Sequence, residues 1–461
     1  MFKNTKYTIS ERSLFLRIFD IIVMNAAIIF FSEFSDFEYF NFADKNLKVW
    51  LVTLSVYFIF FSQVLEMYDL HISRSRFLIF KSAFIASLLT SVAYIFTPII
   101  APVLPSNRLQ VIYLFAAIFL PILSWRFLYI SLIFSPKFFK HVLLVGESDR
   151  LKDVVNLIEN KAISNRIVGY VSTDEIPDFE YYKFFNYEKA NLDKIIRNDT
   201  VTELIVADAG FVKESRSFYN QLIHLFEHGM PITSAKRFVE EVTGMVPELK
   251  QGDKFYDSLN ISKSHQSNMY HAVIRLFDIL VSIVGVSFLI FISPIIVLGN
   301  LIGNRGPLFY KQTRVGQHGK NFSIYKLRSM VVNAEQKGAV WATKNDTRIT
   351  LFGKVLRKSR LDEIPQFINI LKGDMSLIGP RPERPEFVGD LDSKIPFYAI
   401  RHVVKPGLTG WAQVNHPYAN TLEDSMLKVR YDLYYIKERS LLLDFKIVIK
   451  TISTVLFLRG N

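Results

Sequence analysis

Two adjacent carboxylates among many cations are the first place to look for chemistry in this chain. The sequence there runs Asp346-Thr-Arg-Ile-Thr, then Leu356-Arg-Lys-Ser-Arg-Leu-Asp-Glu-Ile-Pro-Gln366, then Leu371-Lys-Gly-Asp-Met-Ser-Leu-Ile-Gly-Pro-Arg-Pro382. Asp362 and Glu363 are neighbours, and Arg357, Lys358, Arg360, Lys372 and Arg381 surround them. An ionised carboxylate can attack phosphorus while guanidinium forks and a divalent cation neutralise the phosphate oxygens. Pro365 suits a first helical turn, so the spacing predicts the pair near a helix N-terminus. There the helix dipole holds acids ionised and favours an approaching phosphate. Without its surroundings, the same pair reads equally as a helix cap followed by a solvated acid.

The elements that must position this pair belong to an apolar, basic chain. Half of the 461 residues are hydrophobic, 41 are Phe, and the formal net charge is +12; mean hydropathy is +0.21. Such values point to membrane-embedded segments. The basic balance suits nucleic acid, anionic lipid or a phosphorylated substrate, and on a membrane protein it usually marks cytoplasmic flanks. There is no Cys, which excludes disulfides, thiolate metal sites and Cys nucleophiles. No short apolar run with a small-residue cleavage site opens the chain, so no removable signal peptide is expected.

Four apolar stretches, 13–32, 47–65, 77–100 and 109–134, each have about the 20 residues a helix needs to cross a bilayer. Arg17 and Asp20 lie on one face of the first and read as an ion pair near the interface. Positive charge recurs at the N-terminus, in the second loop (Arg74, Arg76) and after the fourth stretch (Lys137, Lys140), which puts these on the cytoplasmic side. A parallel α/β pattern follows, with strands expected at 141–146, 167–172 and 203–207. It reads as Rossmann-like with a degraded dinucleotide motif: after Gly146 come Glu147, Ser148, Asp149 and Arg150 instead of further glycines. No Tyr-x-x-x-Lys pair stands there to serve an NAD-dependent sugar-nucleotide enzyme.

A polar linker covers 248–268, and a fifth apolar segment runs from 274 to 302 with Ser293-Pro294 inside it. Proline removes a helix hydrogen bond, so a bend or break is expected there. Both flanks are basic, which predicts a re-entrant helix returning to the cytoplasmic face. The last helix, about 441–458, is apolar with Lys446 and Lys450 on one side, the pattern of a helix lying in the interface plane or packed on a core.

Several ordered motifs in 270–461 resemble the bacterial sugar transferase family, the monotopic polyprenyl-phosphate phosphoglycosyl transferases. They are Lys311-Gln-Thr-Arg-Val-Gly316, Ile324-Tyr-Lys-Leu-Arg-Ser-Met330, Leu361-Asp-Glu-Ile-Pro-Gln366, Leu371-Lys-Gly-Asp-Met-Ser376, Gly379-Pro-Arg-Pro382 and Val404-Lys-Pro-Gly-Leu-Thr-Gly-Trp-Ala-Gln413. The whole chain is similar to the large form of that family. The implied architecture is a four-helix transmembrane bundle (1–136), a Rossmann-like α/β domain (137–247), a linker (248–268) and a mainly α monotopic catalytic domain (269–461) with the re-entrant helix. The resemblance implies transfer of a sugar-1-phosphate from a UDP-sugar to polyprenyl (undecaprenyl) phosphate with release of UMP. Such enzymes start exopolysaccharide, capsule or O-antigen repeat units at the bacterial inner membrane, with the catalytic domain in the cytoplasm.

By the same resemblance, Asp362 is the nucleophile and Mg²⁺ ligand, and Glu363 steers the metal or accepts a proton. Arg357, Lys326 and Arg328 bind substrate phosphate, Pro380, Arg381 and Pro382 lie near the nucleotide, and Ser293-Pro294 breaks the membrane helix. The implied partners are a UDP-sugar, polyprenyl phosphate and the lipid bilayer, without nucleic acid. The α/β domain offers a surface for a homo-oligomer. Arg360 stands where the family often has a small residue, and His416-Pro417 where it often has a glycine-containing sequence. A catalytically silent membrane scaffold is the remaining alternative; intact Asp362, Glu363, Arg357 and Arg381 argue against it.

Overall fold

The computed structural model describes residues 9–34, 46–68, 76–98, 100–102, 107–133, 139–162, 165–207, 215–248, 262–334, 346–416 and 421–456. Arg74, Lys137, most of the expected linker and Pro417 lie outside the described residues. The chain forms two compact units, Met1–Phe238 and Val239–Asn461.

The first unit begins with four apolar helices: α1 (Ile9–Phe34), α2 (Leu47–Val64), α3 (Arg76–Ile95) and α4 (Leu109–Ile133). Helix α1 packs on α2 and α4, and α3 on α2 and α4. Their shared core includes Met24, Leu54, Phe58, Ala83, Leu114 and Ile118. With the later helix described below, five helices among the described residues are long and apolar enough to cross a bilayer, which marks a membrane protein. Asp20 does not pair with Arg17. It forms a 2.5 Å ion pair with Arg126 of α4, both side chains essentially buried, while Arg17 donates to Gln63 of α2 at 2.8 Å. A buried acid needs the closest available cation, and tertiary packing supplies one 106 residues away.

A five-stranded parallel sheet follows, formed by β1 (Lys140–Val145), β2 (Asn165–Ser172), β3 (Lys183–Asn186), β4 (Glu203–Val206) and β5 (Ile232–Ser234) in the order β3-β2-β1-β4-β5. This is the order of a doubly wound fold. Strand β1 is buried from Val142 onward and leads through Gly146, at φ +152°, into α5 (Ser148–Lys161). Helices α6 (Leu192–Asn198) and α7 (Arg216–Glu227) close one side over Leu143, Leu204 and Phe218. Helix α8 (Ala235–Thr243) runs across the boundary at Phe238–Val239; beyond it, within the second unit, the Gly244 and Val246 carbonyls accept from Trp411 and Arg430.

The second unit is built along one helix, α9 (Asn268–Gly303), 36 residues or about 54 Å long. It runs uninterrupted through Ser293 and Pro294, so the expected break in the helix is absent; the Ser293 hydroxyl bonds the Ile290 carbonyl at 2.7 Å. Its buried positions, Asp278, Ser282, Gly285, Leu289, Ile296 and Asn300, recur at three, four and seven residues and form one seam. A methyl group at Gly285 would overlap the Phe367 ring, and one at Gly299 the Phe352 ring, so glycine permits the close approach. The opposite face exposes Leu280, Val284, Phe291, Ile295 and Ile302.

Against the seam lie the antiparallel hairpin β6 (Phe309–Val315) and β7 (Asn321–Leu327), then α10 (Leu351–Lys358), α11 (Gln366–Lys372) and the parallel pair β8 (Ser376–Ile378) and β9 (Gly407–Thr409). Helix α12 (Pro385–Lys394) precedes β9, and α13 (Trp411–Asn415), α14 (Leu422–Glu438) and α15 (Leu441–Leu456) finish the unit. The lysines of α15 turn inward: Lys446 and Lys450 stand 5.2 and 5.4 Å from the Trp411 ring, and Lys450 bonds Asn415 at 2.8 Å. Leu441, Leu442 and Phe445 are exposed instead.

Candidate active site

Two polar ties hold the site to α9, and a third joins its elements to each other. Arg275 donates to the carbonyls of Ile370 and Leu371 at 2.6 and 2.7 Å, satisfying the end of α11. Asp278 accepts from the Leu377 amide at 2.8 Å and the Ser376 hydroxyl at 3.1 Å, fixing β8. Asn369 bridges α11 to β7, accepting from the Tyr325 amide at 3.0 Å and donating to the Ser323 carbonyl at 2.7 Å.

Asp362 and Glu363 stand between α10 and α11, in a separate 3-10 turn, Leu361–Glu363, with Pro365 capping α11. The pair therefore lies just ahead of the helix N-terminus, as expected, with Pro365 at the cap rather than inside the first turn, and the side chains around it set its charge. Arg360 ends α10 in the left-handed region at φ +60°. That region favours glycine, which is the physical reason a small residue suits this position. Here the longer side chain brings a guanidinium 4.0 Å from Glu363.

Arg381 donates to Glu363 at 2.6 Å, and the Lys326 ammonium lies 3.8 Å from the same oxygen. Burial would raise the Glu363 pKa, but Arg381, Lys326 and Arg360 outweigh it and hold the carboxyl at about 2. Asp362 has the opposite setting. Burial and the neighbouring Glu363 charge push it up to about 6, against the pull of Lys326, Arg357 and Arg360. No donor among the described residues bonds its carboxylate. Burial also depresses Lys326 to about 8; Glu363 resists and Arg381 and Arg314 add to the effect. Two adjacent acids are thus driven apart in proton affinity, the pattern that separates roles at reactive sites.

Of the phosphate-binding residues expected from the sequence, Lys326, Arg357 and Arg381 converge on the dyad. Arg357 also donates to the Ser329 hydroxyl at 2.9 Å. Pro380 and Pro382 flank Arg381 and, with Gly316, His402, Val404 and Pro406, line a recess beside it. Arg328 does not join them. It is 7% exposed. Its guanidinium donates to the Pro307, Met330 and Asn304 carbonyls and the Asn304 and Asn300 side chains, pinning the end of α9 to the end of β7. All five of its N–H groups have partners within the protein.

Arg314, Arg401 and Asp432 escaped the sequence reading and stand behind Arg381. The available signals were an acid among the apolar, buried positions of α14 and an Arg beside the Val404-Lys-Pro-Gly motif. Among the described residues no three His, Asp or Glu side chains gather into a metal-binding group.

The bacterial sugar transferase profile matches residues 269–458. A relative from Aeromonas hydrophila, named UDP-N-acetylgalactosamine-undecaprenyl-phosphate N-acetylgalactosaminephosphotransferase, is 44% identical over 230 residues, 49% of this chain and 52% of its own. The UDP-glucose:undecaprenyl-phosphate glucose-1-phosphate transferase of Escherichia coli (strain K12) is 44% identical over 169 residues, 36% of each chain. The chain thus spans about half, or less, of the length of these two relatives. A sugar transferase of Bacillus subtilis (strain 168) is 39% identical over 194 residues, 40% of this chain and 88% of its own length. With that coverage and the dyad lying inside the matched segment, the chain belongs to the bacterial sugar transferase family.

Proposed function

We propose that this protein transfers a sugar-1-phosphate from a UDP-sugar to undecaprenyl phosphate and releases UMP. The observation that carries the reading is an acid without a donor, Asp362, beside a fully paired one, Glu363, among four cations in a member of this family. Asp362 attacks the phosphorus that bears the sugar. The bond from that phosphorus to the bridging oxygen breaks, UMP leaves with the electron pair, and an aspartyl phosphosugar remains. A phosphate oxygen of the polyprenyl carrier then attacks the same phosphorus and frees the Asp362 carboxylate. Lys326, Arg357 and Arg381 hold the phosphate oxygens. A carboxylate held at about 2 is a poor proton acceptor near neutral pH, so Glu363 orients Arg381 and Lys326 instead of moving a proton.

One unpaired carboxylate beside substrate phosphates fits Mg²⁺, which keeps several waters and commonly takes one or two protein carboxylates. Asp362 would hold it, and the ion would neutralise phosphate charge. Neither a silent scaffold nor a dinucleotide enzyme gains support from any of these features.

The protein sits in the bacterial inner membrane, with α1–α4 crossing it as a bundle and the second unit in the cytoplasm. Helix α9, uninterrupted at Ser293-Pro294, does not turn back there; it stays on that face with its exposed apolar side against the bilayer. Its whole length serves as the seam for catalytic elements, from Asp278 at β8 to Asn300 near Arg328, so a full crossing would draw those elements into hydrocarbon.

The test is incubation of the full chain in membranes with undecaprenyl phosphate and a panel of donors, including UDP-glucose and UDP-N-acetylgalactosamine. UMP should appear, and Asp362→Asn or excess EDTA should stop it. UDP as the product, or normal UMP release by Asp362→Asn, would overturn the reading.

A further inference from the structure

The segment that presents Arg381 has no helix or strand of its own, and proline at 380 and 382 leaves only one amide N–H in Pro380-Arg381-Pro382. It is nevertheless held at four consecutive carbonyls. Pro380 accepts from the Gly407 amide at 2.9 Å and Glu383 from the Val315 amide at 2.9 Å. Between them, Arg381 accepts from the Arg401 guanidinium at 3.0 Å, and Pro382 from that of Arg314 at 3.1 Å.

Arg401 is 5% exposed. The nitrogen that donates to the Arg381 carbonyl also donates to Asp432 at 2.8 Å, and its other terminal nitrogen donates to the Tyr398 hydroxyl at 2.8 Å. Asp432, on α14, is 2% exposed. The charged groups facing this pair are Glu383 and, one turn earlier on α14, Lys428; Tyr398 and His402 are further titratable neighbours. A buried ion pair is a costly way to hold a fold together, and an apolar pair of similar size would often serve as well. A planar guanidinium offers what an apolar side chain cannot, namely donors aimed in fixed directions.

We propose that Arg401, oriented by Asp432, is a positioning residue that sets the reach of Arg381 to Glu363. Arg401 touches neither dyad carboxylate. It acts on the backbone of the residue that does, and α14 supplies the anchor. The assignment rests on the phosphoryl-transfer reading for its kinetic arm only.

The experiment combines kinetics with amide hydrogen exchange on the full-length protein in detergent or membranes. Arg401→Lys keeps the charge but cannot reproduce the fork, and should lower kcat/KM for UMP release by about 10²-fold, the usual cost of a small misplacement. Arg381→Ala should also be severe. The double variant should lie within about threefold of Arg381→Ala alone, because two residues acting through one contact are not additive. Exchange in residues 379–384 should quicken in Arg401→Lys while α10 and α11 keep wild-type protection. Asp432→Asn keeps an acceptor without the charge; it should give the same local quickening with a smaller loss of activity, and it carries the test if Arg401→Lys does not fold. Losses that multiply in the double variant, or unchanged exchange at 379–384, overturn the assignment. A protein that releases no UMP from any donor refutes the proposed function, and the exchange arm still decides this one.

Discussion

Replacing Glu363 by Gln should move the acid limb of the rate profile in a direction that only the dyad geometry predicts. On the proposed mechanism Asp362 attacks as the anion, and burial and the charge beside it push its carboxyl up to about 6. About nine-tenths of it is ionised at pH 7 and about one-eleventh at pH 5, so kcat/KM at low fixed Mg²⁺ should fall about tenfold over that interval. Glu363→Gln removes a neighbouring negative charge, so the proton on Asp362 is held less tightly and the limb moves to lower pH. A fall of one unit would cut the loss between pH 7 and 5 from about tenfold to about twofold. Lys326→Met removes a positive charge that stabilises the anion and should shift the limb the other way. Raising Mg²⁺ should also move the wild-type limb down, since the cation competes with the proton for one carboxylate. The assay is UMP release at sub-saturating UDP-sugar from pH 4.5 to 8, each variant scaled to its own plateau. A wild-type profile flat to pH 5, or a Glu363→Gln limb at or above the wild-type position, would refute the division of roles between the two acids.

Arg328→Met should lower the melting midpoint and the yield of folded protein, because it strands the Asn304, Pro307 and Met330 carbonyls; the folded fraction should keep much of its specific activity, and a selective loss of kcat in stable protein would count against this. Arg126→Met leaves Asp20 buried without its cation and should cost about 3–5 kcal/mol, measured by thermal stability in detergent, whereas pairing it with Asp20→Leu should recover most of the loss. Asp362→Asn should raise the melting midpoint by about 2–4 °C while abolishing turnover, because a neutral amide relieves the repulsion from Glu363; a lower midpoint would contradict the electrostatic account. Single cysteines at Ser267 and Lys320, in a chain with no native Cys, should both resist an impermeant thiol reagent on intact cells and react after lysis; external labelling of Lys320→Cys alone would show that α9 crosses the membrane.

What the sequence made legible was whatever depends on local pattern. The apolar runs became α1–α4, the buried parallel strands lie where alternation and turns put them, and the dyad stood out because Leu361-Asp-Glu-Ile-Pro-Gln366 is contiguous. The failures share a physical cause. Lys326 and Arg328 are two residues apart and look like one face of a strand, but β7 ends at Leu327, so alternation stops governing Arg328. Asp20 had a nearby Arg17 and took Arg126 instead, because a helix three turns deep in a bundle is read by its neighbours in space. Lys446 and Lys450 leave two readings open, a helix in the interface plane or one packed on the core; the Trp411 ring gives their ammonium groups a partner on the inner side of α15, which local pattern does not reveal. Arg401 and Asp432 make their contacts across separate elements, which no local period encodes.

The seam along α9 bears on how the protein can be handled and divided. Catalytic elements lean on one side of that helix from Tyr270 to Asn304, and the other side stays apolar and uncovered over the same length. Cutting the chain ahead of Asn268 would discard four oily helices without yielding a water-soluble enzyme, and trimming α9 itself would remove the floor on which the dyad stands. Solubility and competence are therefore not separable by truncation at that boundary: a fragment that keeps α9 keeps its exposed apolar face, and one that drops it loses the seam beneath Asp362.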